Sequence, residues 1–205
     1  MSSYIKTHIR PRSRAAAYNA TQTVSLTVNS ERDFQIQTGM IDTWSYTTID
    51  LGGLFVGGEM HVGLSCCFDS FVIDACEVYI IDRAGTVYAN RGDLPISRLF
   101  SVIDRSGGIG DSVSLSRLMS YSSFKMTDLS SDLSPSPVHK RYFNMANSSF
   151  RSTKSKASLP KLVVGLVNTY PNSVRNFRVR IVARCRYRGV RVDNDPVADI
   201  VAPRV

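Results

Sequence analysis

Acidic residues are missing from a long stretch of the C-terminal third of this chain. The sixty residues between Asp132 and Asp193 contain no Asp or Glu but thirteen Lys and Arg. Residues 15–132, in contrast, hold seven basic and fourteen acidic residues. Exposed ion pairs contribute only about 0 to 1 kcal/mol each, so stability alone is a weak reason for this segregation. We therefore expect a polyanionic partner, with internal pairing of the two segments as the alternative.

Cysteine and histidine are scarce, which argues against several kinds of site. The cysteines are Cys66, Cys67, Cys76 and Cys185. They lack the paired spacing of a zinc site and are too few for a disulfide scaffold, so we interpret them as small core residues in a reducing compartment. None of His8, His61 and His139 stands at a ligand spacing from another histidine or from a cysteine. The sequence predicts no metal site and no cofactor.

Long apolar runs are absent as well. Residues 162–166 form one of the longest uncharged apolar stretches and are far too few to span a bilayer. The first fourteen residues include basic side chains but no apolar core of signal-peptide length. We therefore expect neither a membrane anchor nor export by a signal peptide.

Recognisable catalytic motifs are not found. Asp74 and Glu77 are three residues apart on a predicted strand, which places them on opposite faces unless a bulge intervenes. Asp104 follows a strand and precedes Arg-Ser-Gly, a pattern typical of an Asp that caps a turn. The glycines of residues 107–110 lack the helix and the lysine of a phosphate-binding loop, so we expect a flexible connector there. The sequence predicts no catalytic residue and no enzyme.

Strand patterns dominate what is present. Strands are predicted at residues 21–28, 34–36, 44–51, 72–81, 99–103, 161–167 and 177–192. A break is expected at Gly52 and Gly53, a short helix at residues 111–119 with Asp111 as its N-cap, and a functional surface loop at residues 130–156. Many strands with few helices predict an antiparallel sandwich or barrel, and 205 residues suit one such domain.

The last predicted strand separates apolar from basic side chains. Successive side chains of a strand point to opposite faces. One face would carry Phe177, Val179, Ile181, Ala183, Cys185 and Tyr187. The other would carry Arg178, Arg180, Arg184, Arg186 and Arg188. Neighbours on one face lie about 6.6 Å apart, close to the spacing of phosphates along an extended single strand of nucleic acid. The pattern predicts a ladder of arginines that faces a polyanion.

Four segments resemble one family of proteins. Residues 68–81 resemble the stretch with which these proteins enter a central strand, and residues 99–107 resemble their strand that ends in Asp. Residues 118–125 are similar to the tyrosine, serine and lysine stretch that follows, and residues 175–189 to the closing strand. The family is that of the capsid proteins of small viruses with circular single-stranded DNA genomes that encode a replication initiator, the circovirus-like group. The resemblance covers about residues 65–190.

The resemblance implies a fold, an assembly and a location. The fold would be a single jelly roll of eight antiparallel strands, with residues 1–20 as a basic arm and residues 21–205 as the shell domain. About 60 copies would form an icosahedral shell around single-stranded DNA, with RNA as the alternative genome. The protein would be found in the virion, and in the host nucleus or cytoplasm during assembly. Which receptor on the host cell it binds is not indicated.

The expected genome contacts are basic residues of the arm and of the acid-free segment. They are Lys6, Arg10, Arg12, Arg14, Lys140, Arg141, Arg151, Lys154, Lys156, Arg178, Arg180, Arg184, Arg186 and Arg188. Many members of the family have a longer Arg-rich arm, so here most contacts are expected after residue 139. Such binding depends on salt and has little sequence specificity. Four aromatic residues lie among these basic residues. They either stack on unpaired bases or anchor the core and the subunit interfaces, and they are Tyr4, Tyr142, Phe143 and Phe150.

Two other functions fit the same residues. A monomeric or dimeric barrel that binds single-stranded nucleic acid would use the same arginines. A β-sandwich that binds an acidic polysaccharide or another protein would use them for carboxylate or sulfate contacts. Formation of particles distinguishes a shell protein from both.

Overall fold

The computed structural model describes residues 23–83, 98–105, 107–110, 112–129, 137–145, 148–167, 169, 172 and 174–190. The strands in these ranges are β1 (Thr23–Gln37), β2 (Trp44–Asp50), β3 (Phe68–Asp82), β4 (Arg98–Asp104), β5 (Lys125–Asp128), β6 (Pro137–Asn144), β7 (Arg151–Ser152), β8 (Lys161–Val167) and β9 (Val174–Val190). The helices are α1 (Leu51–Val56), α2 (Glu59–Cys67) and α3 (Leu115–Met119). None of the described helices is long and apolar enough to cross a membrane.

The strands form two antiparallel sheets. A five-stranded sheet has the order β1-β9-β3-β6, with the short β7 also paired to β3. A four-stranded sheet has the order β2-β8-β4-β5. Apart from β4 and β5, which are consecutive, strands that are neighbours in a sheet are separated by other strands in the sequence, and the chain passes repeatedly from one sheet to the other. This is the connectivity of a jelly roll, and it confirms the predicted fold class.

The main core lies between the sheets and follows from side-chain alternation. Along β9, the side chains of Phe177, Ile181 and Tyr187 are 0% exposed, while the arginines between them point away from the core. Leu162 and Val164 of β8 belong to the same buried cluster. The predicted assignment of the two faces of β9 is confirmed.

A second apolar cluster lies on the other side of the four-stranded sheet. Val163 and Val167 of β8 pack there against Phe100 of β4. Two residues that follow β4 complete the cluster: Ile109, in the connection, and Leu118, in α3. The connection between β4 and β5 therefore covers this sheet. That cover explains why residues 161–167 read as an apolar run without alternation, since β8 is buried on both faces.

Asp104 organises this connection. Its carboxylate accepts hydrogen bonds from the backbone N–H groups of Gly107, Gly108 and Ile109 at 2.7, 3.2 and 3.1 Å. The capping role predicted for Asp104 is confirmed. The flexible connector predicted for residues 107–110 is wrong, because these bonds and the burial of Ile109 hold the segment against the sheet.

Several other local predictions are corrected. The predicted strands at residues 21–28 and 34–36 are parts of one strand, β1. The predicted break at Gly52 and Gly53 lies inside α1, whose N-terminus is capped by Asp50 through the N–H of Gly53. The predicted loop at residues 130–156 contains β6 and β7. Ser114 caps α3, and Asp111 lies outside the described residues.

The cysteines divide into two pairs. Cys76 and Cys185 are buried, and burial raises the pKa of each thiol to about 12. Cys66 and Cys67, at the end of α2, are exposed. The core interpretation is thus confirmed for the first pair and wrong for the second. Within the described ranges, no three His, Cys, Asp or Glu side chains are grouped so that they could hold a metal ion.

Candidate functional site

The outer face of the five-stranded sheet carries the arginines of β9. We call this surface the arginine face, and it comprises the outward side chains of β9 and their neighbours on β1, β3 and β6. Arg180, Arg184 and Arg188 are exposed, and Arg178 and Arg186 are partly exposed. Val182 stands between the two groups of arginines. The two ends of the face differ in the charges that surround the arginines.

The end near Arg178 is rich in carboxylates, and we call it the paired end. Arg178 donates to Asp33 at 2.8 Å and to Glu31 at 2.9 Å, and Arg83 also binds Asp33 at 2.5 Å. The hydrogen bond from Arg178 holds the pKa of Asp33 below its ordinary value, and the same bond raises the pKa of Arg178. Arg180 lies opposite Glu31 in the register of β1 and β9, but among the described residues no carboxylate oxygen lies within 4.0 Å of it. The internal pairing foreseen as the alternative is therefore present at this end.

The end near Arg188 has hydroxyl neighbours instead, and we call it the open end. The register pairs are Thr23 with Arg188, Ser25 with Arg186 and Thr27 with Arg184. Among the described residues, neither Arg184 nor Arg188 has a carboxylate oxygen within 4.0 Å. Arg188 donates its Nε to Ser70 Oγ at 3.2 Å, and its guanidinium carbon lies 4.2 Å from the centre of the Phe150 ring.

A β-bulge brings a carboxylate to Arg186. The register between β3 and β9 shifts between Ile73 and Ala75, so Asp74 is an extra residue on β3. Asp74 accepts from Arg186 Nη2 at 2.8 Å and from Nε at 2.9 Å, which raises the pKa of Arg186. The shift also moves Glu77 to the outer face. Asp74 and Glu77 thus share one face, and their predicted placement on opposite faces is wrong because the bulge intervenes.

Lys140 belongs to the arginine face and is ion-paired. Its Nζ lies 2.9 Å from Glu77 Oε1 and 5.1 Å from the centre of the Tyr79 ring. The Tyr79 hydroxyl donates to the other carboxylate oxygen of Glu77. Hydrogen bonds from Tyr79 and then from Lys140 lower the pKa of Glu77. Lys140 therefore has an internal partner, as Arg178 and Arg186 do.

Arg141 points in the opposite direction, toward the four-stranded sheet. Its Nε donates to Ser101 Oγ at 2.7 Å, and its Nη2 donates to the carbonyls of Ser101 and Ser123 at 2.6 and 2.7 Å. Burial lowers the pKa of Arg141. The structure thus places this predicted genome contact between the sheets, where it joins β6 to β4.

Replacing Arg141 with alanine is expected to lower the free energy of unfolding by about 2 kcal/mol, because it removes three hydrogen bonds made by a charged group. Lys140→Ala is the matched control, since it removes the same charge from the next residue. That control is expected to change stability by less than about 1 kcal/mol, because the Lys140 pair is exposed. Urea denaturation of both variants measures the difference, and equal effects would contradict an internal role for Arg141.

The remaining predicted contacts are dispersed. Lys156 binds Asp50 at 2.5 Å, beside the start of α1. Arg151 pairs in register with Phe71, whose side chain lies in the core, so Arg151 is on the side of the sheet opposite the arginine face. Lys154 is exposed in a turn after β7. Lys6, Arg10, Arg12 and Arg14 lie outside the described residues, as does Tyr4.

The aromatic residues among these basic residues also separate. Phe143 is 6% exposed and belongs to the core, whereas Tyr142 is 60% exposed. Phe150 is partly exposed and lies under the guanidinium groups of Arg186 and Arg188. Of the aromatic residues in the described ranges that we proposed for stacking, only Phe150 contacts arginines of the open end.

Sequence reasoning missed the residues that divide the arginine face. Glu31, Asp33 and Asp74 pair with its arginines, and Ser70 hydrogen-bonds to Arg188. One signal was available, since the first acidic residue in the sequence is Glu31. The half of β1 that precedes Glu31 could therefore supply no counter-charge. No comparable signal marks the bulge at Asp74.

Comparisons with known proteins yield structural matches alone. No protein-family model matches the sequence. No curated protein matches it significantly. Many solved structures match the fold, so the similarity lies in the course of the backbone rather than in the amino-acid sequence.

The structural neighbours are viral capsid proteins. A chain of the Cocksfoot mottle virus structure is 10% identical with a TM-score of 0.55, over 83% of this chain and 97% of that chain. A tobacco necrosis virus chain is 8% identical with a TM-score of 0.53, over 82% and 97% of the two chains. A chain of Mud crab tombus-like virus is 7% identical with a TM-score of 0.50, over 97% and 92%. The chain therefore has the jelly-roll fold that is found in viral capsid proteins.

Proposed function

We propose that this chain is the capsid protein of a small virus and that copies of it form a closed shell around a single-stranded genome. The arginine face would line the interior of that shell. A basic arm of residues 1–20 and a shell domain of residues 21–205 would share the binding of the genome. The four segments that resemble circovirus-like capsid proteins favour single-stranded DNA as that genome.

The observation that carries the proposal is the column of arginines on the outer face of a jelly-roll sheet. A jelly roll whose two sheets enclose the core needs no charged column on its surface for its own stability. Five arginines stand on one face of β9, and Arg180, Arg184 and Arg188 have no carboxylate partner within the described part of the chain. Exposed cations that lack a carboxylate partner and stand at a regular spacing favour a polyanion as their partner.

The geometry supports an extended polyanion in particular. Arg184, Arg186 and Arg188 follow one another at about 6.6 Å along the strand, near the spacing of phosphates in an extended single strand. Recognition through phosphates reads charge and spacing but no base sequence. A shell protein that packages a whole genome requires this kind of recognition, because every copy must bind whatever sequence reaches it.

The first test is whether the purified chain forms particles. We expect uniform spheres in negative-stain electron microscopy, with a raised ratio of absorbance at 260 nm to that at 280 nm. Nucleic acid extracted from the particles is then digested with DNase or with RNase to identify it. A protein that stays monomeric or dimeric at all salt concentrations would contradict the shell and would favour the binding barrel or the polysaccharide-binding sandwich.

Binding of nucleic acid is expected to weaken as salt rises. Each phosphate contact on a single strand contributes about 0.7 to the slope of log affinity against log salt concentration, because counterions are released. Fluorescence anisotropy with a short labelled oligo(dT) measures that slope. An affinity that does not change between low and moderate salt would contradict phosphate recognition by the arginines.

A further inference from the structure

The two ends of the arginine face differ in their local charge. At the paired end, Arg178 is held by two carboxylates at 2.8 and 2.9 Å, and Arg83 shares one of them. A phosphate that approached Arg178 would have to displace Glu31 and Asp33 or lie beside their charges. Arg180 has no carboxylate oxygen within 4.0 Å in the described ranges, but Glu31 lies opposite it in the register of β1 and β9. The carboxylates around these arginines make the paired end a poor place for a polyanion.

The open end has a surplus of positive charge. Arg186 is neutralised by Asp74, while Arg184 and Arg188 have no carboxylate within 4.0 Å in the described ranges. Arg184 interacts electrostatically with Glu77, whose ion pair is made with Lys140. Asp69 lies beside Gly189, close to the end of β9. The hydroxyl side chains of β1 that face these arginines can donate hydrogen bonds to phosphate without adding negative charge.

The basic arm also joins the fold at the open end. β1 begins at Thr23, which is the register partner of Arg188. The four basic residues of the arm precede Thr23 in the sequence, and no acidic residue occurs before Glu31. β9 ends one residue before Arg191 in the sequence. Residues 15–22, which carry no charge, therefore connect the basic part of the arm to this end of the sheet.

Arg188 offers a planar surface as well as a charge. The guanidinium carbon of Arg188 lies 4.2 Å from the centre of the Phe150 ring, so one side of the guanidinium is covered. The Nε of Arg188 donates to Ser70 Oγ, which fixes one edge of the group. Arg188 is exposed. Unpaired bases stack on guanidinium planes as they do on aromatic rings. A base can therefore occupy the side of Arg188 that faces away from Phe150.

We propose that the packaged single strand crosses each subunit at the open end, with phosphates bound by Arg184 and Arg188 and one base stacked on the Arg188 guanidinium. The paired end is then part of the subunit's internal ion-pair network and makes no contact with the strand. This inference rests on the proposed function, because it takes single-stranded nucleic acid as the ligand. It adds which residues bind the strand and that unpaired bases are recognised by stacking.

Two double variants of equal charge test the location. Arg184→Ala with Arg188→Ala removes two cations from the open end, and Arg83→Ala with Arg178→Ala removes two from the paired end. Binding of oligo(dT) is measured by anisotropy across a salt series, after electron microscopy has shown whether each variant forms particles. We expect the open-end variant to lose at least tenfold in affinity and its salt slope to fall by about 1.4, which is 0.7 for each phosphate contact. The paired-end variant is expected to keep both values.

The outcomes separate the inference from the proposed function. Equal losses in both variants would overturn the restriction to the open end, and no loss in either would overturn binding on this face. In both cases the formation of particles by the unmodified chain would leave the shell intact. Absence of particles from the unmodified chain would instead overturn the proposed function, whatever the variants bind.

A separate comparison tests the stacked base. An abasic oligomer has the phosphates of oligo(dT) but no bases, so the ratio of the two affinities measures stacking. We expect the unmodified protein to bind oligo(dT) about tenfold more tightly than the abasic oligomer. Phe150→Leu is expected to lower that ratio, because it removes the ring that holds Arg188, while Tyr142→Leu leaves the ratio unchanged. A ratio near one in the unmodified protein would overturn stacking on Arg188.

Discussion

Replacing Gly165 with alanine is expected to lower the free energy of unfolding by about 2 to 3 kcal/mol. A Cβ atom at this position of β8 would lie 2.2 Å from Cζ of Phe100 and 2.6 Å from the carbonyl oxygen of Ser45. Phe100 is fully buried and stacks on Phe124 with a centroid distance of 5.7 Å, so its ring has little room to move. The added methyl group would therefore push β8 away from its neighbours.

Gly63→Ala is the matched control for this substitution. A Cβ atom at Gly63 of α2 would meet no atom within 4 Å. Alanine favours the helix over glycine by about 0.5 to 1 kcal/mol, so this variant is expected to be slightly more stable. Urea denaturation followed by circular dichroism measures both variants. If Gly165→Ala is too unstable to purify, adding Phe100→Leu should restore folding, and failure of that rescue would contradict the clash with Phe100.

Acid is expected to destabilise the fold through His139. Its Nε2 lies 2.6 Å from Ser101 Oγ and its Nδ1 lies 2.8 Å from Thr127 Oγ1, in a buried position between the sheets. Burial, with smaller contributions from Arg141 and Lys125, lowers the pKa of His139 to about 4. In the unfolded chain the pKa is about 6.5. The neutral imidazole is therefore the form that the folded protein stabilises.

The sign of the effect follows from the two pKa values. Below about pH 6.5 the unfolded chain binds a proton at His139 that the folded protein does not bind until about pH 4. Stability should fall by about 3 kcal/mol in total as the pH falls through this window, at 1.36 kcal/mol for each pH unit. His139→Gln has no such proton, so its urea midpoint should depend less on pH between these values. An unchanged pH dependence in that variant would contradict the assignment to His139.

Much of the fold could be predicted because it depends on patterns that are local in the sequence. Alternation along residues 177–187 predicted both the strand and its two faces. The apolar run at residues 161–167 predicted β8 with its observed bounds. These patterns succeed because a strand repeats every two residues and the core selects one face. The position of Asp104 after β4 predicted its capping role for the same kind of local reason.

Other elements could not be predicted, because neighbours distant in the sequence decide them. The glycines in α1 favour a break, yet the helix forms where it packs against β1, β2 and β8. The bulge at Asp74 changes which side chains of β3 face outward, and the pairing with β9 reveals it while the sequence does not. Arg141 and Lys140 are adjacent in the sequence, but they belong to opposite faces of the same strand, and only the sheet shows which face is inside.

The sequence by itself determined that this chain is rich in strands, that its basic residues are concentrated in one segment and that five arginines share one face of the last strand. Tertiary structure alone decided which of those arginines have partners. Glu31 and Asp33 reach Arg178 across more than 140 residues of sequence, as Asp74 reaches Arg186 across 112. The physical reason is that charge composition is a property of the chain, whereas the compensation of each charge depends on distances between strands. Those distances are set by the register of β1 and β3 on either side of β9.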